Sequence, residues 1–293
     1  MSQAKLILLT LLFITALAVN SKKILLVQVA VGKSHMQFSG VLTDKLVDRG
    51  HIVDKLVLHW NPYVITNGTK KARRIISVTR PDSPYKNAQH IMNPFKYESE
   101  QGYQMFIDIR KMYCETLLAN KGLIEELKSE NYDIALVTPW GGCSLALTEI
   151  LEIKSTAMFV ATSNADYIFE GLGVPSPPSY LSYIFEPVSP GKPLNFPERV
   201  ANYIKWFKRH MPYSHWNEMR HTDDEIVHKY YPHILPYSQL FHKVSYVFLN
   251  MNELLDIGQP ISSKIKFIGG IHLEDGLTNT NLTMLEVRNL KFL

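Results

Sequence analysis

The sequence predicts an α/β protein built on a Rossmann-like parallel sheet, on three observations. Residues 22–31 contain Ile24-Leu25-Leu26-Val27-Gln28-Val29-Ala30-Val31, a nearly unbroken apolar run of the kind shown by strands covered on both faces. Shorter runs of this type alternate with segments of helical period over the first 160 residues, which describes a βαβ succession with right-handed crossovers. Composition agrees, since 46% hydrophobic and 20% charged residues over 293 positions suit a chain that buries a large core and exclude collagen, coiled coil and extended disorder. The net charge of +4 is spread over the chain, unlike the clustered basicity of a nucleic-acid binder.

Residues 1–20 read as a cleaved secretory signal: Lys5, then Leu6 to Leu17 interrupted by Thr10 and Thr15, then Ala16-Leu17-Ala18. The apolar stretch is shorter than the roughly 20 residues a spanning helix needs. The mature chain is therefore expected to be lumenal or secreted unless it binds a membrane surface or a membrane-bound partner. Asn67-Gly68-Thr69 and Asn281-Leu282-Thr283 are glycosylation acceptors in keeping with that compartment.

Lys22 to Val31 is the first strand. Ser34 is expected to cap a helix carrying Phe38, Val41, Leu42 and Leu46 at helical spacing, with Gly50 where an αL residue ends it. His51–Leu58 and Arg73–Val78 read as the next strands. One long helix over Gln101–Leu127 follows, with Met105, Phe106, Ile109, Met112, Tyr113, Leu117 and Leu118 on its apolar stripe. Tyr132–Val137 and Ser155–Val160 are strands flanking a helix over Gly141–Ile153. Gly173-Val174-Pro175-Ser176-Pro177-Pro178 opens a Pro-rich surface crossing. Helices are expected at Glu198–Arg209 and from a capping box at Thr222 with Glu225, then strands at Val244–Leu249 and Ile265–Ile268. Residues 21–270 make one domain on this reading. Cys114 and Cys143 are the only cysteines. An oxidising compartment allows a bridge, but Cys114 falls inside a helix read as buried, so two unpaired buried thiols are expected.

Gly32-Lys33-Ser34 sits where a P-loop would, yet Val27 occupies the position of its first glycine. Gly171-Leu172-Gly173 has Ser176 in place of a third glycine, which counts against a dinucleotide-binding dehydrogenase. The eleven histidines include no HExxH, so no metal site is expected. His35 differs by position: it follows the first strand and opens the first helix, at the carboxyl edge where open α/β sheets bind ligands. A base placed there can reach a substrate.

The residues around His35, Val31-Gly32-Lys33-Ser34-His35-Met36-Gln37-Phe38 and then Thr43-Asp44-Lys45-Leu46-Val47-Asp48-Arg49-Gly50-His51, resemble the N-terminal motif of UDP-glycosyltransferases of the glucuronosyltransferase group, with invertebrate members nearest. Gly173 to Tyr180, Phe196-Pro197-Glu198-Arg199-Val200-Ala201-Asn202 and Phe267-Ile268-Gly269-Gly270-Ile271 match the same family in order. The resemblance implies a GT-B enzyme whose N-terminal half binds a small lipophilic acceptor and whose C-terminal half binds the UDP-sugar. This chain corresponds to the first half, with residues 271–293 as linker and the truncated start of the second.

It further implies no cofactor or metal, UDP-glucuronic acid or UDP-glucose as co-substrate, and His35 as the general base of an inverting transfer. The family's carboxylate partner to that histidine lies five residues beyond an aspartate like Asp133, which here is Thr138. In the Ser-His-Asp template, neutralising the equivalent aspartate costs about 10⁴ in turnover. Asp133 reads as a residue at the start of a strand, and Glu149 or Asp166 could substitute only if the fold brings one to His35. Lys70-Lys71-Ala72-Arg73-Arg74 reads as a solvated loop in preference to an anionic-lipid contact. Tyr97, Tyr103, Phe106, Trp140, Trp206 and Trp216 suit an acceptor pocket or ordinary core. Two functions follow: the acceptor-binding half of a transferase, or a non-catalytic lumenal acceptor-binding protein that pairs with a full-length transferase as a regulator or small-molecule carrier. The resemblance implies the endoplasmic reticulum lumen or membrane, with secretion as the alternative, and membrane association that is indirect or peripheral.

Overall fold

The computed structural model describes residues 21–87, 100–162, 166–181, 194–211, 214–254 and 258–272. The signal segment, Tyr97, Asn281 and residues 273–293 lie outside them, as do the side chains of Tyr103, Asp166 and Trp216. In chain order the elements are β1 (Lys23–Val29), α1 (Lys33–Asp48), β2 (Ile52–Leu58), β3 (Arg74–Val78), a 3₁₀ turn (Pro84–Asn87), α2 (Glu100–Ala119), α3 (Lys121–Ser129), β4 (Ile134–Val137), α4 (Gly142–Ile150), β5 (Ser155–Val160), α5 (Asp166–Gly171), α6 (Phe196–Arg209), α7 (His215–Tyr230), α8 (Tyr237–Lys243), β6 (Tyr246–Leu249) and β7 (Ile265–Phe267).

The seven strands form one sheet in the order β3-β2-β1-β4-β5-β6-β7, and every pairing is parallel. Strand order reverses between β1 and β4, the topological switch point of a doubly wound sheet. The central strands are covered on both faces, which is why β1 is continuously apolar. Leu25, Val27 and Val29 enter a core shared with α2, α4, α7 and α8, while Ile24 and Leu26 enter a second core with Phe38 and Leu42 of α1.

Several local expectations give way. The long helix is two, because the Asn120 side chain accepts a hydrogen bond from the Leu123 amide at 3.1 Å and starts α3. Ser34 lies inside α1, whose N-cap is Gly32 without side-chain assistance. Gly50 does adopt φ +85° just after the C-cap Arg49. Thr222 is buried within α7 and caps nothing. A capping box stands instead at α6, where Asn195 Oδ1 accepts from the Glu198 amide at 3.0 Å and Glu198 accepts from the Asn195 amide at 2.7 Å. The cysteines are bonded: Cys114 of α2 and Cys143 of α4 are joined with Cα atoms 5.6 Å apart, inside the usual span for a disulfide. Burial of both reflects where the two helices meet and does not keep the thiols apart.

Two charged residues are buried in β2. Asp54 accepts from Arg73 Nε at 2.7 Å, Arg74 Nε at 2.9 Å and the Tyr132 hydroxyl at 2.6 Å. Burial pushes its carboxyl up, but the bonds from Arg73, Tyr132 and Arg74 outweigh this and hold it below its ordinary value. Lys55, on the opposite face, donates to Ser39 Oγ at 2.8 Å and the Asn67 carbonyl at 2.7 Å. That tie lays the Asn67 loop across α1. Gly40 makes the approach possible, since a Cβ there would fall 1.7 Å from the Gly68 carbonyl oxygen. Three of the four cations in the basic run pair with carboxylates: Lys71 with Asp48, Arg73 with Asp54 and Glu130, Arg74 with Asp54, Glu126 and Glu130. Among the described residues no helix is long and apolar enough to cross a membrane.

Candidate functional site

Two loops leave the carboxyl ends of β1 and β4 at the switch point. The register pairs Val27 with Val137, and the Thr138 amide donates to the Val27 carbonyl at 3.2 Å. From β1 the chain turns at Gly32 into the first helical turn of α1, which carries His35. From β4 it runs through Thr138, Pro139, Trp140 and Gly141 into α4. Across the gap, the His35 and Trp140 rings lie 5.7 Å apart at 58°, a tilted arrangement within the range of favourable ring pairs.

His35 is half-buried, and its Nδ1 is shielded with no hydrogen-bond partner among the described residues. Burial lowers the imidazole pKa from its ordinary value, because a cation there loses hydration. The ring is therefore neutral at pH 7 and able to accept a proton. Thr138 is buried, and its Oγ1 likewise has no partner. The two groups are not hydrogen-bonded to each other.

Two of the other carboxylates raised from the sequence, Asp133 and Glu149, are elsewhere. Asp133 accepts from the Lys23 amide at 2.8 Å and pairs with Lys22 at 3.7 Å, at the amino end of β4, opposite His35. Glu149 pairs with Lys243 at 2.7 Å near the far end of α4. Asp166 opens α5. Of the aromatics, Trp140 joins His35, Phe106 packs half-buried against the core, and Trp206 stacks on His210 within α6 at 4.4 Å.

A gap of about 10 Å³, room for a single water, lies against Trp140, lined also by Val29, Leu58, Trp60, Tyr113, Arg110, Asp223 and the Cys114–Cys143 bridge. Asp223, reaching in from α7, pairs with Arg110 of α2 and accepts from the Gly142 amide at the start of α4. Its Oδ1 and the Trp60 Nε1 have no partner among the described residues. This buried charge pair was not foreseen. Asp223 stands in the run His221-Thr222-Asp223-Asp224-Glu225, whose composition is that of a solvated helix face. Only the packing of α7 on α2 and α4 distinguishes it.

A doubly wound parallel sheet defines an α/β domain of Rossmann type, and His35 lies at its switch point, the place where such sheets bind ligands. The family model for UDP-glucoronosyl and UDP-glucosyl transferase matches residues 22–284, and the chain belongs to that family. It is 26% identical over 259 residues to UDP-glucuronosyltransferase 1A9 of Mus musculus, covering 84% of this chain and 47% of that protein. Against UDP-glucuronosyltransferase 3A1 of Homo sapiens it is 27% identical over 286 residues, with 92% and 51% covered. Against ugt-46 of Caenorhabditis elegans it is 24% identical over 267 residues, with 88% and 49% covered. The chain thus spans about half the length of the curated relatives it matches. Among solved structures, the glycosyltransferase of kitacinnamycin aligns with a TM-score of 0.48 and 16% identity over 85% of this chain and 51% of that one.

Proposed function

We propose that this chain is the acceptor-binding half of a UDP-glucuronosyltransferase-like enzyme. On this reading it transfers a sugar, with inversion, from a UDP-sugar to hydroxyls of small lipophilic acceptors in the endoplasmic reticulum lumen. The observation that carries the reading is the neutral, half-buried His35 at the switch point of a family-matched sheet. With Nδ1 shielded, Nε2 is the atom that takes the acceptor's hydroxyl proton as its oxygen bonds the anomeric carbon and UDP departs. Trp140 supplies an aromatic wall beside that base, against which a lipophilic acceptor can pack. The donor site belongs to the second half of the family's fold. Asn67 is exposed and is the acceptor proposed for glycosylation; Asn281 is the other.

A second reading, a non-catalytic partner that binds acceptors beside a full-length transferase, is favoured by Thr138. An uncharged residue stands where the family's carboxylate would orient His35 and stabilise its cation, and Nδ1 is left unpaired. The test is transfer of radiolabelled sugar from UDP-glucuronic acid and UDP-glucose to phenols and steroids, comparing the chain with its His35→Ala variant, alone and with a full-length relative. Turnover that disappears in the variant supports catalysis at His35. Silence in both, with acceptors still bound by fluorescence, supports the partner reading.

A further inference from the structure

Helix α6 is oriented against the rule for a surface helix, which turns its apolar stripe to the core. Phe196, Val200, Tyr203, Ile204 and Phe207 fall on one face at helical spacing, and all are exposed, Phe196 by 78% and Phe207 by 52%. The helix's one buried residue is polar: Asn202, whose side-chain amide donates to the carbonyls of Pro178 and Leu181, each at 2.6 Å. At 3.6 residues per turn, Asn202 lies about 140° round the helix from the centre of the stripe. The anchor thus holds the apolar face away from the body.

The same helix carries Arg199, Lys205, Lys208 and Arg209 against a single acid, Glu198, and Arg199 and Lys208 flank the stripe on its two sides. We infer that α6 is a membrane-surface contact, its aromatic stripe lying in the interface of an anionic bilayer. The excess of positive charge selects an anionic partner, and a stripe of large side chains rimmed by cations is the pattern of an interfacial helix. Fourteen residues extend about 21 Å along the axis, so the helix lies in the interface plane. Lys70–Arg74, denser in charge, is a poorer candidate because three of its four cations, Lys71, Arg73 and Arg74, are paired with Asp48, Asp54, Glu126 and Glu130 and it presents no apolar stripe. This assignment is independent of the transferase reading.

The test is co-sedimentation of the full chain with vesicles of phosphatidylcholine, with and without phosphatidylserine, at low and high salt. Binding is expected on the phosphatidylserine vesicles and weakened by salt. Phe207→Glu is expected to reduce it at least about tenfold and Lys208→Glu about fivefold, both with unchanged melting because both side chains are exposed. Three results overturn the inference: no binding to either vesicle, equal binding to both, or binding that Phe207→Glu leaves intact. Self-association in sedimentation velocity that Phe207→Glu abolishes, without vesicle binding, would give the stripe to a second copy of the chain.

Discussion

Replacing Lys55 with methionine tests what a wholly buried amine costs the fold. Lys55 is wholly buried, and burial lowers its ammonium from an ordinary 10.5 to about 7, with Asp44 opposing the change only in part. In the unfolded chain the amine keeps its ordinary affinity for protons. Above the unfolded pKa both states are neutral and the group costs nothing. As pH falls through the window from 10.5 to about 7, the unfolded chain holds one proton more, and native stability drops by about 1.4 kcal/mol per pH unit. Below the folded value both states are charged and the penalty stops growing, at roughly 5 kcal/mol. Methionine removes this dependence but leaves the Asn67 carbonyl without its donor, a cost of about 1–3 kcal/mol that does not vary with pH. Lys55→Met is therefore expected to be the more stable protein near neutral pH and to lose that advantage as pH rises toward about 9. Urea unfolding followed by circular dichroism across the mildly alkaline range measures the difference. A difference that does not change with pH would refute the reasoning, because it would mean that Lys55 stays charged in the native state.

Thr138→Asp places a carboxylate at the end of β4 and is expected to raise the His35 pKa by about one or more, read from the imidazole proton resonances during a pH titration. A titration left where it was would show that position 138 does not face the ring. The Cys114–Cys143 bridge spans 29 residues, and Cys143→Ser is expected to lower stability by about 3–4 kcal/mol on the chain-entropy account. Identical unfolding curves with and without reductant would show that the bond is absent in solution.

The strands are legible because parallel strands covered on both faces are mostly apolar, as Ile24–Val29 of β1 is apart from Gln28, and as Ile134–Val137 of β4 and Ala157–Val160 of β5 are without a break. The departures share a cause, in that a single residue's type carries no record of the neighbours that the fold gives it. Asn120 sits between two helical stretches of compatible period, so the apolar stripe runs on across the break that its side chain makes. Thr222 and Glu225 have the spacing of a capping box, but packing of α7 on α2 carries the helix past them. The cysteine pairing depends on how α2 meets α4, which no spacing along the chain reveals.

The candidate site divides in the same way. His35 could be placed by sequence because it directly follows the first strand, and chain connectivity alone puts that turn at the carboxyl edge of the sheet. Thr138 followed by counting from Asp133 along one strand. Both inferences are local, and the amino-acid order settles them. Trp140 against His35, the Arg110–Asp223 pair beneath it, the burial of Asp54 and Lys55, and the outward turn of α6 were decided only by tertiary structure. Each depends on elements far apart in the chain meeting at a particular distance and rotation, and a residue's charge or polarity carries no record of the partner that burial will demand.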